Sequence, residues 1–313
     1  MVFDKKISVI MSTYNENETE LRQSVESILN QTYSDFEFII VLDNPGDKMI
    51  KTILSSYAES DHRIKLIENE DNLGLASSLN KAIELSTGEY IARMDADDIS
   101  VPERFNRQIS FIEEKKLDFV ASNIMKFNEF EQLEKTRYPR NHFYISKSLK
   151  YTSALPHPTW LVKRSVYMRL NGYRLLETTQ DYDFELRAKK IGVRFGLLEE
   201  CLLRYRMRGQ RVTGRKRVYQ NTIHRYLAKN ANIILEADPV QYSKTEKFQK
   251  DKRKIERYHL LTAKRDEYRR DKKILKCVIV WIIRAFTTET WIRLTICSIM
   301  VKILTVLDYL MKK

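Results

Sequence analysis

Two acidic segments are the first candidates for chemistry. Asp95-Ala96-Asp97-Asp98 crowds three carboxylates into four positions. Carboxylates this close repel one another unless a hard cation lies between them, and Mg2+ or Mn2+ favours oxygen ligands completed by substrate phosphates. The same residues would also make a solvated acidic turn that caps a helix starting near Pro102. Asp181, in Gln180-Asp181-Tyr182-Asp183-Phe184, opens a helical pattern. It could cap that helix, with Asp183 compensating the dipole, or act as a general base that takes the proton of an attacking hydroxyl.

Three polar segments could bind a nucleotide. Thr13-Tyr14-Asn15 ends an apolar run, and an aromatic ring in such a turn can stack on a base. Asn15 or Asn17 also fits the N-cap of the following helix. The Asp43 carboxylate could accept the imide proton of uracil, within what is also an Asp43-Asn44-Pro45-Gly46 turn. Asn72-Leu73-Gly74 leads into a helical pattern whose first amides could face an anion.

These residues need elements to position them. Apolar runs at Ile7 to Ser12, Phe36 to Leu42, Ile64 to Ile67 and Tyr90 to Met94 read as buried strands. Between them, three sets of residues recur at helical spacing: Leu21, Val25, Ile28, then Ile50, Ile53, Leu54, then Leu75, Leu79, Ala82, Ile83. Gly88 fits the stop of the third helix. This alternation predicts an α/β fold with a doubly wound, mainly parallel sheet and helices on both faces. Such sheets bind ligands at the carboxyl ends of their strands, where Thr13, Asp43 and Asp95 all fall. Further on, Arg104 to Glu114 and Gln180 to Lys190 read as helices, and Val193 to Leu197 and Cys201 to Tyr205 as strands.

The chain has a formal charge of +13, unevenly spread: residues 244–313 carry 19 Lys/Arg and 8 Asp/Glu, while the preceding 243 residues hold 36 and 34. A nucleic-acid binder would be expected to carry its basic excess on the folded domain, so none is expected here. A basic appendage rich in apolar residues points to an anionic membrane surface, or to helices packed on protein. Its apolar runs, around Trp281, Phe286, Trp291 and Leu294, are interrupted by Lys276, Arg284, Arg293 and Lys302. None reaches the roughly 18 residues of a spanning helix. Arg293 and Lys302 fall on opposite faces of an ideal helix, so no clean amphipathic face is expected. Cys201, Cys277 and Cys297 lack metal-ligand spacing, and the start of the chain has no long apolar segment. Both point to the cytoplasm.

Together the segments resemble glycosyltransferase family 2, with its GT-A fold: ISVIMSTYNE at 7–16, FEFIIVLDNPGD at 36–47, ENEDNLGLASSLNKAI at 68–83, TGEYIARMDADDISVPERF at 87–105, HPTWLVKRSVYMRLNGYR at 157–174 and TQDYDFELRAKKIG at 179–192. The resemblance implies an inverting transfer from a nucleotide-diphosphate sugar, usually a uridine one, to a hydroxyl of a glycan or lipid-linked glycan. By position, Thr13, Tyr14 and Asp43 would line the nucleotide pocket, with Asn15 and Asn72 beside them. Asp95 and Asp97 would be the Asp-x-Asp pair, with Asp97 the main ligand of Mn2+ or Mg2+ and Asp98 able to share that role. Asp181 would be the base. His157, beside Pro158, falls on the acceptor side, and Asp183 is a further acidic candidate. The chain departs from the family in having Asp43-Asn44 and Gln180-Asp181 where two acids are common. It also has Arg206 and Arg208 near where relatives often carry a His. Either arginine could reach the diphosphate or be a solvated surface cation. The implied organisation is a catalytic domain over 1–211, a charged helical extension over 212–271 and a basic, apolar tail over 272–313 at the inner face of a membrane. A nucleotidyltransferase would instead carry a Gly-rich basic loop after the first strand. A non-catalytic nucleotide-sugar-binding module would lack the metal aspartates or the base.

Overall fold

The computed structural model describes residues 5–128, 132–207, 214–271, 276, 279–280 and 289–311. Its first half alternates β1 (Ile7–Thr13), α1 (Glu18–Leu29), β2 (Phe36–Leu42), α2 (Lys48–Ser60), β3 (Ile64–Glu68), α3 (Leu75–Leu85) and β4 (Tyr90–Asp95). The remainder comprises β5 (Ile99–Ser100), α4 (Arg104–Glu114), β6 (Phe119–Phe127), β7 (Gln132–Lys135), α5 (His142–Ser148), β8 (Leu161–Lys163), α6 (Arg164–Leu170), α7 (Gln180–Lys190), β9 (Phe195–Arg206), α8 (Gly214–Lys229), α9 (Pro239–Ser243), α10 (Glu246–Arg270) and α11 (Glu289–Leu310).

The strands form one sheet in the order β3-β2-β1-β4-β8-β6-β9-β5, with β7 on β6. β3, β2, β1 and β4 pair in parallel, as do β6 and β9. β8 joins the two halves antiparallel to both β4 and β6. β2 is buried along its whole length, the pattern of a parallel strand covered on both faces. The helices cover it with apolar stripes: Leu21, Val25 and Ile28 of α1, and Ala76, Leu79, Ala82 and Ile83 of α3, are all buried. Asn17 caps α1 by accepting from the Glu20 amide at 2.9 Å, and Asp47 caps α2 by accepting from that of Ile50 at 3.0 Å.

Two cores result, one on each sheet face. Val9, Met11, Phe38, Ile40, Ala92 and Met94 pack with α1, α2 and α4. Ile10, Ile39, Val41 and Ile91 pack with α3, α7 and an aromatic group around Trp160, Tyr173 and Phe184. The second core extends beyond residue 211, since Ile223 and Leu227 of α8, Ile234, Tyr242 and Phe248 are buried in it.

Two local readings differ in detail. The segments read as separate strands around 193–205 form one strand, β9, whose register against β6 shifts near Ser122 and Asn123. Gly88 is not a helix stop: α3 ends at Leu85, and Gly88 lies against β1, where an added Cβ would meet Lys6 O and Ser8 N at 2.7 Å.

Candidate active site

The site forms where β4 ends. Along a strand, side chains alternate between faces. Tyr90, Ala92 and Met94 enter one core, so Arg93 and Asp95 turn to the other, the face of Ile91, α3 and α7. Asp95 pairs with Arg93, which is 1% exposed. The Asp95 carbonyl also accepts from Ser24 Oγ at 2.8 Å, tying the turn to α1.

Beyond the turn, one carboxylate oxygen each from Asp95, Asp97 and Asp98 lies within 4.8 Å of the others. Asp98 is buried. Its Oδ1 accepts from the Arg206 amide at 2.8 Å, while Oδ2 is buried without a hydrogen-bond partner among the described residues. Burial and the neighbouring Asp95 and Asp97 push the Asp98 carboxyl well above the usual carboxylate range. An all-oxygen donor set with one buried oxygen left over fits a hard divalent cation. The structure therefore brings together the three aspartates singled out by spacing.

Arg206 fixes this turn from the edge of the sheet. Its Nε donates to the Asp97 carbonyl at 2.8 Å, its Nη2 to Gln23 Oε1 at 2.6 Å, and it lies 3.7 Å from Glu20 and over the Phe127 ring. It is a largely buried positioning residue rather than a solvated cation. Arg208 lies outside the described residues.

The nucleotide-side candidates sit at the ends of β1 and β2. Thr13 is buried, and its Oγ1 donates to Glu16 Oε2 at 2.6 Å, an oxygen that also accepts from the Tyr14 amide at 2.8 Å. Tyr14 and Asn15 are exposed, so the ring is available to stack. Asn44 Nδ2 donates to the Tyr14 carbonyl at 3.0 Å. Asp43 is buried, with Oδ1 accepting from Asn69 Nδ2 at 2.7 Å and the Leu73 amide at 2.8 Å, and Oδ2 from the Gly74 amide at 2.9 Å. Three of a carboxylate's roughly four acceptor positions are thus taken by its own chain. Asp43 organises the 69–74 loop. Gly74 completes that loop at φ +81°, a conformation costly for any side chain, and its amide also donates to exposed Asn72 at 3.1 Å.

The base candidate lies on the same face. Asp181 is partly buried in the first turn of α7, after Thr179 in a left-handed conformation at φ +66°. Burial raises its pKa, against the opposing pull of the Tyr182 and Asp181 amides and of Arg93, and Asp95 is close enough to raise it further. Asp181 therefore feels the charge of Asp95 at the start of the aspartate turn. One turn on, Glu185 is fully buried and accepts from the Ala154 and Leu155 amides at 3.2 and 2.9 Å. It anchors the segment leading to His157. His157 Nε2 lies 2.9 Å from Tyr173 OH, against the Trp160 ring. Burial and Arg93 push its imidazole pKa well below the usual range, which favours the neutral ring. Asn80 of α3 holds Tyr173 through two 2.8 Å hydrogen bonds. Asp183 is buried between Arg187 at 2.7 Å and Arg174 at 3.3 Å. It ties α7 to its surroundings, away from the carboxylate cluster.

Sequence reasoning missed Arg93, Glu16, Asn69, Tyr173 and Glu185. Only Arg93 had a visible signal: a charge inside a buried strand, two residues before Asp95 and therefore on its face.

The description of "Glycosyl transferase family 2" matches residues 8–170. The chain is 40% identical over 204 residues to the "uncharacterized glycosyltransferase MJ1057" of Methanocaldococcus jannaschii, covering 64% of this chain and 70% of that one. It is 37% identical over 204 residues to the O-antigen biosynthesis glycosyltransferase WbnJ of Escherichia coli, covering 64% and 79%. Among solved structures, S. aureus TarS 1–349 in complex with UDP-GlcNAc aligns with a TM-score of 0.60 at 18% identity, covering 88% of this chain and 90% of that one. Against a longer TarS chain the TM-score is 0.57, and this chain spans 42% of it. With the fold like that of TarS and the match running from β1 through the aspartate turn to α6, the chain belongs to glycosyltransferase family 2.

Proposed function

We propose that the protein transfers a sugar, with inversion, from a uridine diphosphate sugar to a hydroxyl of a glycan or lipid-linked glycan in surface polysaccharide assembly. The observation that carries this is the cluster of Asp95, Asp97 and Asp98 oxygens, with an Asp98 oxygen that has no hydrogen-bond partner among the described residues, and with Asp181 close enough to Asp95 to feel its charge. The printed roles of WbnJ in O-antigen biosynthesis and of the complex of TarS with UDP-GlcNAc support the class of product and of donor.

In this reading Asp97, with Asp95 and Asp98, would hold Mn2+ or Mg2+. When bound, that cation supplies positive charge against the leaving diphosphate. The chain's own residues do the rest. Tyr14 offers a ring to the base, and Thr13, Asn15, Asp43 and Asn72 shape the pocket around it. Asp181 accepts the proton of the acceptor hydroxyl as its oxygen attacks the anomeric carbon. The bond from that carbon to the diphosphate oxygen breaks, and the nucleotide leaves with the bonding electrons. Attack opposite the leaving group inverts the configuration. His157, buried beside Arg93 and hydrogen-bonded with Tyr173, borders the acceptor side. The proposed organisation is a catalytic domain over 1–211, an extension over 212–271 packed on it, and a tail over 272–313 that attaches peripherally to the inner face of a membrane.

The test is donor hydrolysis across a panel of nucleotide sugars, with Mn2+ or with chelator, for wild type and Asp97→Ala. Metal-dependent release of nucleotide diphosphate from one donor, lost in the variant, is the expected result. Calorimetry with UDP and Mn2+ separates the rivals: absence of binding would overturn the reading, and a nucleotidyltransferase would instead release pyrophosphate from a nucleoside triphosphate.

A further inference from the structure

The described side chains of α11 separate into two faces. Asp308 is buried against the start of α5, where both of its oxygens accept hydrogen bonds, from the Arg140 amide and from Asn141 Nδ2. Arg140 Nη2 donates to the Asp308 carbonyl at 2.8 Å, and its guanidinium lies 4.1 Å from the centre of the Tyr309 ring. The helix is thereby fixed in orientation on the catalytic domain.

The opposite face is apolar and open. Ile299, Ile303, Val306, Leu307, Leu310 and Met311 are 42–72% exposed. Their spacings of four, three, one, three and one residues keep them on one side of the helix, at about 100° per residue. Single exposed apolar side chains are ordinary, but a contiguous row marks a surface that meets an apolar partner. Cations flank the row. Exposed Lys302 borders it on one side. Next to Met311, a cavity of about 750 Å³ opens between α4, α5 and β9; its lining includes exposed Lys115 and Arg194, while its Glu199 and Glu200 are paired with Arg140 and Arg107.

We propose that this face of α11 lies on an anionic lipid bilayer, with the apolar row inserted among the acyl chains and Lys302, Lys115 and Arg194 meeting headgroup phosphates. This rests on the reading of the tail as a peripheral attachment and names the surface that makes it. Charge complementarity selects the occupant. Residues 244–313 carry a net +11, so a second copy would bring like charge against it, whereas an anionic bilayer attracts it. No described helix is long and apolar enough to cross a membrane, so the helix lies in the interface. Because Asp308 and Arg140 fix the helix, the contact sets the orientation of the catalytic domain to the bilayer.

The test is co-sedimentation of the full chain with vesicles of phosphatidylcholine alone or mixed with phosphatidylglycerol, for wild type, Ile303→Asp/Val306→Asp and Leu310→Glu. Wild type should bind the mixed vesicles about tenfold or more tightly than the neutral ones. Each variant should bind the mixed vesicles about tenfold more weakly, with helical circular dichroism and UDP–Mn2+ binding unchanged. Variants that bind like wild type, or a wild type indifferent to phosphatidylglycerol, would overturn the proposal. So would a vesicle-independent dimer that the substitutions dissociate, since it would assign the face to a second copy. UDP–Mn2+ binding is measured without vesicles, so failure of this surface and failure of the transferase reading are separable.

Discussion

Asp181 works against its own environment. Burial favours its neutral form, while the first amides of α7 and the buried Arg93 favour the charge that a general base needs. A raised pKa means that the active carboxylate is lost as pH falls through a value above the ordinary aspartate range. The turnover rate should therefore rise with pH across that range and then level. Asp181→Asn should lower kcat by about 10²–10⁴-fold while leaving UDP–Mn2+ affinity within a few-fold, as calorimetry would show. Arg93→Met removes a charge that lowers the Asp181 pKa, so the acid limb of the pH–rate profile should move to higher pH. Arg93→Lys should restore part of the shift. An unmoved limb in Arg93→Met would remove Arg93 from the electrostatics of the base. At this scale the aspartates were legible because acids directly after an apolar strand stand out. The engagement of Asp43 was not, because its partners Leu73 and Gly74 donate through main-chain amides, which leave no mark in residue type.

The elements that place these residues depend on close approach at the other end of the sheet. Gly88 brings the start of β4 against β1, and its amide donates to Ser8 Oγ at 2.8 Å. Gly88→Ala would press a methyl group onto the backbone atoms Lys6 O and Ser8 N, which cannot rotate away. A loss of about 1–3 kcal/mol in denaturant unfolding is expected. Ser8 also donates to Glu37 at 2.6 Å, and Glu37 receives Lys65 at 2.6 Å and the Thr87 amide at 2.7 Å. Burial raises the Glu37 pKa, but these donors outweigh it and hold the group at about 2. A depressed carboxylate stabilises the fold above its unfolded pKa of about 4.3, and that stability is lost as pH falls toward 2. Glu37→Gln should cost about 2–3 kcal/mol at neutral pH, and the difference from wild type should shrink through this window. The parallel half of the sheet was readable because its strands are long apolar runs separated by helical stripes. The mixed half was not: β8 has three residues, and β9 continues through a register shift that long-range pairing with β6 tolerates and periodicity does not reveal.

Across the whole molecule, described segments after residue 213 are tied to the sheet and its helices by polar contacts as well as by the apolar core. Arg174 links Asp183 of α7 to the Ala237 and Ile234 carbonyls at 2.7 and 3.1 Å, so the helix that carries Asp181 also anchors the turn before α9. The charge step near residue 244 was visible in composition, but these attachments were not, because Arg174 and Asp308 lie far in sequence from what they hold. Asp308 makes the clearest case. Its carboxylate meets Arg140 and Asn141, and Asn141 in turn caps α5 by accepting from the Tyr144 amide at 3.2 Å. Asp308→Ala leaves these donors facing a gap, at a local cost of about 1–3 kcal/mol. Asp308 lies at the contact of α11 with α5, away from the sheet core, so the loss should fall on the docking of the helix rather than on the sheet. Limited proteolysis should then cut the variant within residues 272–311 several-fold faster than wild type, while cutting within 5–207 and UDP–Mn2+ binding stay unchanged. Equal cleavage in the two proteins would mean that α11 is held by something other than the Asp308 contacts, and its fixed orientation would lose its basis.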